Sequence, residues 1–165
     1  MRTLPALSVL GTAAVIFAAC DGGSGESTCR IQGQLAGAIS WQSDSQDPAC
    51  VIPFSGSTGV EMDFRPLLAS IQQLVVELPG AKKDLTGPLP AQVKVRVPDG
   101  RMWSTAAGAC TVTVESNSFV EQEQFAQHYQ LAGRGDCASA AMPSGTATGT
   151  VTIAPFTFRF PARFL

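Results

Sequence analysis

The sequence predicts an all-β protein: an antiparallel β-sandwich or flattened barrel of about nine or ten strands, with at most one short helix. Three observations support this prediction. From residue 29 to the C-terminus, apolar and polar residues alternate with the period of half-buried strands. Glycine, proline, aspartate and serine separate the alternating runs and supply turns. No segment alternates strands with long amphipathic helices, so a parallel α/β sheet is not expected.

The first alternating runs predict three strands. The run from residue 29 to 41 places one set on a single face: Cys29, Ile31, Gly33, Leu35, Gly37, Ile39 and Trp41. The two glycines of this set are expected to bend or bulge the strand. The inward faces of the next two strands are Cys50, Ile52 and Phe54, and then Val60, Met62 and Phe64. Glu61 and Asp63 fall on the opposite, solvent face of the third strand.

The middle of the chain gives a mixed signal. Pro66 could begin a helix of one or two turns, whereas the apolar run at residues 74–78 is typical of a strand. Residues 81–90 are predicted to form a connecting loop. Val93, Val95 and Val97 then share one face, and a Pro-Asp-Gly turn at residues 98–100 leads into a return strand at residues 101–104.

Four further strands are predicted in the C-terminal third. Their inward sets are Cys110, Val112 and Val114; Phe125, Gln127, Tyr129, Leu131 and Gly133; Ala147, Gly149, Val151 and Ile153; and Phe156, Phe158, Phe160 and Phe164. The first two strands are expected to form a hairpin through residues 121–123. The inner three of the four phenylalanines of the last strand are expected to lie in the core, because four aromatic side chains on one exposed face would promote aggregation.

The first twenty residues indicate an export signal. A positive start at Arg2 precedes a mostly apolar run over residues 4–17, which is shorter than the roughly 20 residues of a membrane span. The run ends in Phe17-Ala18-Ala19-Cys20, which resembles the lipobox of bacterial lipoproteins. This resemblance implies that Cys20 receives diacylglycerol and becomes the mature N-terminus. The alternative is an ordinary signal peptide followed by an unrelated cysteine.

Three parts of the chain follow from this interpretation. Residues 1–19 are a signal peptide, residues 20–28 are a lipid-anchored Gly/Ser tether, and residues 29–165 form a single β-sandwich domain. The leader contains one base, so the mature chain has ten bases against thirteen acids, a net charge of −3. Because the sequence shows no basic cluster, we expect no nucleic-acid partner.

The cysteines indicate the compartment. Besides Cys20 there are four, an even number that in an exported protein predicts two disulfides. The chain has one histidine and no CxxC, so zinc is a weak alternative, and we expect no metal and no cofactor. Sequence alone leaves three connectivities open. We favour Cys110–Cys137, because an antiparallel hairpin would bring those positions together, and Cys29–Cys50 by elimination and by their short separation.

Landmarks along the mature chain also resemble a group of small β-rich bacterial lipoproteins. They are Cys29, Gly37-Ala38, Cys50, Pro79-Gly80, Trp103, Cys110-Thr-Val-Thr-Val, Tyr129-x-x-x-Gly133, Cys137 and Gly149-Thr-Val-Thr-Ile. The resemblance covers most of the mature chain and implies a β-rich extracytoplasmic domain. It implies no activity and no catalytic or binding residue.

Catalytic signatures are sparse. His128, the only histidine, is expected on an exposed strand face, and no G-x-S-x-G motif presents a serine to it. Glu61 and Asp63 would leave one face about 7 Å apart, a spacing that suits glycosidases but also any solvated strand face. Arg134-Gly135-Asp136 spells the integrin-binding tripeptide, but a chance match in a loop before Cys137 is the favoured interpretation, since the same residues suit a turn. We therefore expect no enzymatic activity.

The function expected from these observations is that of a lipid-anchored extracytoplasmic lipoprotein with a non-catalytic binding or structural role. Its partners would be the membrane, through the N-terminal lipid, and an envelope protein or glycan. Its location would be the bacterial cell envelope, either periplasmic or at the outer surface. Trp41 and Trp103 are the first candidates for ligand contact, although both also suit the core. The alternative is a secreted or surface hydrolase, or a carbohydrate-active domain, with an unrecognised site.

Overall fold

The computed structural model describes residues 28–43, 48–52, 59–67 and 69–165. Within these ranges the regular structure consists of thirteen strands and no helix, and the all-β prediction is confirmed. The strands outnumber the nine or ten expected because several contain only two or three residues. In chain order they are β1 Arg30–Gln32, β2 Gln34–Gly37, β3 Trp41–Gln42, β4 Ala49–Val51, β5 Gly59–Arg65, β6 Gln73–Pro79, β7 Gly87–Arg96, β8 Met102–Ser104, β9 Cys110–Glu123, β10 Ala126–Cys137, β11 Met142–Ser144, β12 Val151–Ile153 and β13 Phe156–Phe164.

Ten of these strands form one sheet in which every pairing is antiparallel. Its main path runs β1-β13-β10-β9-β7-β6-β5-β4, with β8 pairing both β7 and β11. The long strand β7 connects the two halves of the sheet. It pairs with β9 over residues 87–91, with β6 over residues 92–96 and with β8 over residues 94–96.

The large sheet curls into a half-barrel around its own apolar face. Phe64 on β5 and Phe160 on β13 are separated by four strands in the sheet order, yet their ring centroids lie 5.3 Å apart in an edge-to-face arrangement. The Cys29–Cys50 disulfide also holds the sheet in this curled shape, because Cys29 directly precedes β1 and Cys50 lies on β4. These are the two ends of the main strand path. The curl is therefore closed by a covalent link as well as by packing.

A second sheet of three strands, in the order β12-β2-β3, completes the core. The chain changes sheets at Gly33, since β1 pairs with β13 whereas β2 pairs with β12. A β-carbon at Gly33 would lie 2.8 Å from Cβ of Phe156, so this crossing needs a residue without a side chain. The predicted single strand over residues 29–41 is thus three strands, divided near the two glycines expected to bend it.

The hairpin of β9 and β10 has the predicted pairing but a different turn. Cys110 lies opposite Cys137, and the two form the second disulfide. The chain reverses between Glu123 and Ala126, not through residues 121–123, and Gln124 adopts a positive φ of 40°. Phe125, predicted to face inward, is therefore at the tip of the hairpin and is 86% exposed. The inward face begins instead at Ala126 and continues through Tyr129 and Leu131.

Three further expectations change with the structure. No helix follows Pro66 within the described residues, and the strand alternative for residues 74–78 is correct, because β6 spans Gln73–Pro79. The predicted loop over residues 81–90 ends early, since β7 begins at Gly87 to pair with β9. The predicted strand that included Ala147 and Gly149 is only Val151–Ile153, because Gly149 has a positive φ of 68° and lies outside it.

The C-terminal strand behaves as its alternation predicts. Phe156, Phe158, Phe160 and Phe164 are all buried, with exposed fractions of 7% or less. Arg159 lies on the opposite, exposed face and Arg163 is half-buried. Strand β13 thus contributes an aromatic row to one core that includes residues of both sheets.

Candidate functional site

Trp103, one of the two predicted ligand contacts, belongs to the core. Its side chain on β8 is fully buried. The indole Nε1 donates a hydrogen bond to the carbonyl oxygen of Gly149 at 3.1 Å. The Arg101 guanidinium carbon lies 5.6 Å from the centre of the same ring. A ligand cannot reach this side chain, so its role is structural.

Trp41, the other predicted contact, borders a surface cleft. Strand β3 pairs it with Leu35 of β2, at the base of the turn over residues 38–40. The cleft has a volume of about 440 Å³ and is lined by Gln34, Leu35, Ser40, Trp41, Gln42, Ala69 and Ser70. On its core side the same indole borders a void of about 10 Å³ between the sheets, too small for more than one water. The ring is thus anchored in the core while part of it faces the cleft.

The polar groups of the Trp41 cleft come from two distant segments. Gln34 and Gln42 are cross-strand neighbours with exposed side chains. The Ser70 hydroxyl donates a hydrogen bond of 2.7 Å to the carbonyl oxygen of Ser40, which ties the segment before β6 to the β2–β3 turn. None of the lining side chains that the structure describes is ionisable. These described residues can hydrogen-bond hydroxyl and amide groups, but they include no carboxylate, imidazole or amine to transfer a proton.

A second concavity lies on the outer face of the large sheet. It has a volume of about 480 Å³ and is lined by Gln32, Thr111, Thr113, Arg134, Gly135, Asp136, Pro155, Phe156 and Thr157. Arg134-Gly135-Asp136 is predicted in a loop, but it lies in β10, where Arg134 and Gly135 pair with both β9 and β13 and Asp136 pairs with β9. Alternation along the strand turns Arg134 and Asp136 outward and buries Gly135. The tripeptide is thus displayed on a rigid strand and not at a turn.

His128 lies at the other end of the hairpin. Its Nε2 is 3.1 Å from Oε2 of Glu123, and the same oxygen accepts a hydrogen bond from Arg163 at 3.0 Å. The imidazole is only 19% exposed, less than the exposed strand face predicts. His128 is not among the residues that line either concavity. His128 and Arg163 thus share the Glu123 carboxylate in a polar network that links β9, β10 and β13.

Tyr129, the single tyrosine of the chain, follows His128 on β10 and is fixed in place by the side chains packed around it. Tyr129 is buried and packs edge-to-face against Phe119 and Phe164, with centroid distances of 5.7 and 5.4 Å. Burial, and then the Asp84 carboxylate beside the phenol, raise the pKa of Tyr129 above its usual value of 10.0. The phenol therefore stays protonated at neutral pH and serves the packing of this end of the sheet.

The acidic pair Glu61 and Asp63 does not form a shared solvent-facing site. Glu61 is exposed as expected, but Asp63 is only 3% exposed. Its Oδ2 accepts a hydrogen bond of 3.1 Å from Arg65, and its Oδ1 has no hydrogen-bond partner. Neither carboxylate lines one of the two concavities. The solvated-face interpretation is therefore wrong for Asp63, which is covered although its position in the alternation is outward.

The remaining predicted site residues divide into two groups. Cys20, the predicted lipid attachment point, lies outside the described residues. The other four cysteines form the two disulfides in the pairing favoured by the sequence. Two disulfides are consistent with an oxidising, extracytoplasmic location. Ser70 is the cleft residue that sequence reasoning had no means to find, since it approaches Ser40 only through the fold.

Comparison of the chain with protein-family models, with curated proteins and with solved structures finds no match. In the part of the chain that the structure describes, no helix is long and apolar enough to cross a membrane. The same residues contain no group of three or more histidine, cysteine, aspartate or glutamate side chains arranged to hold a metal ion.

Proposed function

We propose that this protein is a lipid-anchored extracytoplasmic binding protein without catalytic activity, and that its Trp41 cleft holds a neutral, hydroxyl-rich ligand such as a glycan. The observation that carries the proposal is the combination of an anchored indole with amide and hydroxyl side chains, with no ionisable side chain among the lining residues that the structure describes. Sugars present apolar ring faces and hydroxyl groups, and these match an aromatic edge and hydrogen-bonding side chains respectively.

The anchor and the compartment are supported by separate observations. The leader ends in Ala18-Ala19-Cys20 after a short apolar run, and the two disulfides favour an oxidising compartment. Metabolic labelling with palmitate tests the anchor. The wild-type protein should incorporate label and Cys20→Ser should not. Equal labelling of both proteins would contradict lipidation at this cysteine, and an unlabelled wild type would indicate a soluble secreted protein.

Binding at the cleft is tested with neutral oligosaccharides of glucose and N-acetylglucosamine on the full-length chain. Titration should change tryptophan fluorescence, and Gln42→Ala should weaken binding about three- to tenfold through the loss of one or two hydrogen bonds. Gln122→Ala removes the same kind of side chain from the exposed β9–β10 hairpin and serves as the matched control. An equal effect of both substitutions, or no binding to the panel, would reject the cleft as the site.

A structural envelope role is the second candidate, and the β9–β10 hairpin favours it. Phe119 and Phe125 are 54% and 86% exposed there, and exposed aromatics are enriched in protein interfaces. A photo-reactive residue at position 125 should then form one defined adduct in the envelope, lost in Phe119→Ser. A reactive residue at Gln122 provides the control. Adducts of equal yield and pattern at both positions would indicate nonspecific collision.

A further inference from the structure

Three arginines from three different strands meet on the outer face of the large sheet. Arg30 on β1 lies directly opposite Arg159 on β13. Arg134 on β10 pairs with Thr157, which is two residues before Arg159 on the same face of β13. Directly opposite β-carbons are about 5 Å apart and diagonal ones about 7–8 Å apart, so the three guanidinium groups share one region of the surface. We call Arg30, Arg134 and Arg159 the arginine face.

The arginine face contrasts with the rest of the molecule. The chain has a net charge of −2, yet like charges stand directly opposite each other on neighbouring strands here. The same face also carries the Glu115 and Asp136 carboxylates, so its three arginines exceed its acidic groups by one. A local excess of positive charge attracts anions.

The groove beside the arginine face adds groups of a different kind. Gln32, Thr113 and Thr157 lie in the same cross-strand row as Arg134, and Thr111 and Asp136 form the next row. All of them line the 480 Å³ concavity together with Pro155 and Phe156. The groove thus combines a guanidinium, several hydroxyl and amide groups, one carboxylate and an apolar surface. Because these side chains stand on paired strands, their spacing is set before a ligand arrives.

Arg134 has a partner that a ligand can replace. Its Nη1 is 3.4 Å from Oε1 of Glu115, and the two side chains are 69% and 52% exposed. Glu115 has no opposite residue on β10, because the register shifts between Ala132 and Gly133. An ion pair this exposed and this long is weak, so a ligand carboxylate that forms a bidentate pair with Arg134 can replace Glu115.

From these observations we propose that the groove is a second binding site, distinct from the Trp41 cleft, and that it takes an acidic saccharide containing uronic acid. The sugar carboxylate pairs with Arg134 in place of Glu115, within the field of Arg30 and Arg159. Threonine hydroxyls, the Gln32 amide and the Asp136 carboxylate hydrogen-bond the sugar hydroxyls. The apolar face of the sugar ring rests on Pro155, which is exposed at the edge of the groove.

The test is calorimetric titration of the full-length protein in neutral detergent with a tetrasaccharide of galacturonic acid. Its methyl ester, of similar size but uncharged, is the matched ligand. The acid should bind at least about tenfold more tightly than the ester, and its affinity should fall as salt is raised. Arg134→Gln should abolish this preference. Arg96→Gln, an exposed arginine on β7 outside the groove, should leave it intact. Thermal unfolding confirms that both variants remain folded.

Three results would overturn the proposal. The first is equal affinity for the acid and the ester. The second is loss of the preference for the acid in both arginine variants, which would show that the preference depends only on the net charge of the protein. The third is a combination of two observations: the tetrasaccharide does not bind, and the protein binds vesicles of phosphatidylglycerol in a way that Arg134→Gln weakens. This combination would assign the arginine face to a lipid surface. Failure of neutral sugars at the Trp41 cleft has no bearing on these results, because the two sites have no lining residue in common among those that the structure describes.

Discussion

The contact between Phe64 and Phe160 makes a quantitative prediction about how the curled sheet is held. Both side chains have zero exposed surface, and their rings meet edge-to-face at 5.3 Å with an interplanar angle of 70°. Phe160→Ala should destabilise the protein by about 3–5 kcal/mol, because it removes a fully buried ring and leaves a cavity. Of this, about 0.5–1.5 kcal/mol belongs to the aromatic pair itself. A domain of this size has a total stability of about 5–15 kcal/mol, so the loss is a large fraction.

Urea unfolding followed by tryptophan fluorescence provides the assay, since Trp41 and Trp103 are both buried in the folded state. Phe125→Ala is the matched control, because that ring is 86% exposed and its loss should change stability by less than about 0.5 kcal/mol. A double-mutant cycle with Phe64→Ala should give a coupling energy of about 0.5–1.5 kcal/mol. A loss below about 1 kcal/mol for Phe160→Ala, or a coupling near zero, would refute closure of the half-barrel through this pair.

Three other predictions follow from individual contacts. Replacing Cys29 and Cys50 by alanine should lower the free energy of unfolding in urea by about 3 kcal/mol from loop entropy alone. A change below about 1 kcal/mol would contradict the inference that this disulfide holds the two ends of the curled sheet together. Absorbance at 295 nm should show that Tyr129 ionises above pH 10, and Asp84→Asn should lower that pKa. Because the pKa of the folded state is raised, the stability that the protonated phenol contributes is complete below pH 10 and is lost at higher pH. An unshifted titration would disprove the contact. Thr105→Val should cost about 1–3 kcal/mol, because the buried hydroxyl accepts a 2.9 Å hydrogen bond from a backbone amide of β7, whereas a neutral effect would show that another group satisfies that amide.

Part of the candidate site could be predicted from the sequence. Trp41 was one of two candidate contacts, and it does border a cleft. The choice between Trp41 and Trp103 needed the fold, because alternation buries both rings equally well. Only the packing shows that Trp103 is closed off beneath Gly149 while Trp41 meets Ser40 and the segment at Ser70.

Local periodicity determined those features of the fold that depend on neighbours in sequence. The inward rows of β9 and β13 follow directly from it, because a strand alternates its faces at every residue. The hairpin predicts that Cys110 and Cys137 lie near each other, but two register shifts within it, which no local pattern predicts, place them directly opposite. Phe125 departs from the pattern at the turn, where the backbone leaves the strand geometry and the alternation no longer applies.

The tertiary structure decided those features of the fold and of the sites that depend on which strands lie next to each other. Alternation assigns a side chain to a face but does not say what covers that face, so Asp63 is buried on a side expected to be solvated. Strand order likewise makes Cys29–Cys50 a link between the two ends of the sheet. It also gathers Arg30, Arg134 and Arg159 from positions more than twenty residues apart, although the sequence shows no basic cluster. Such juxtapositions arise from pairings between distant segments, which no local pattern encodes.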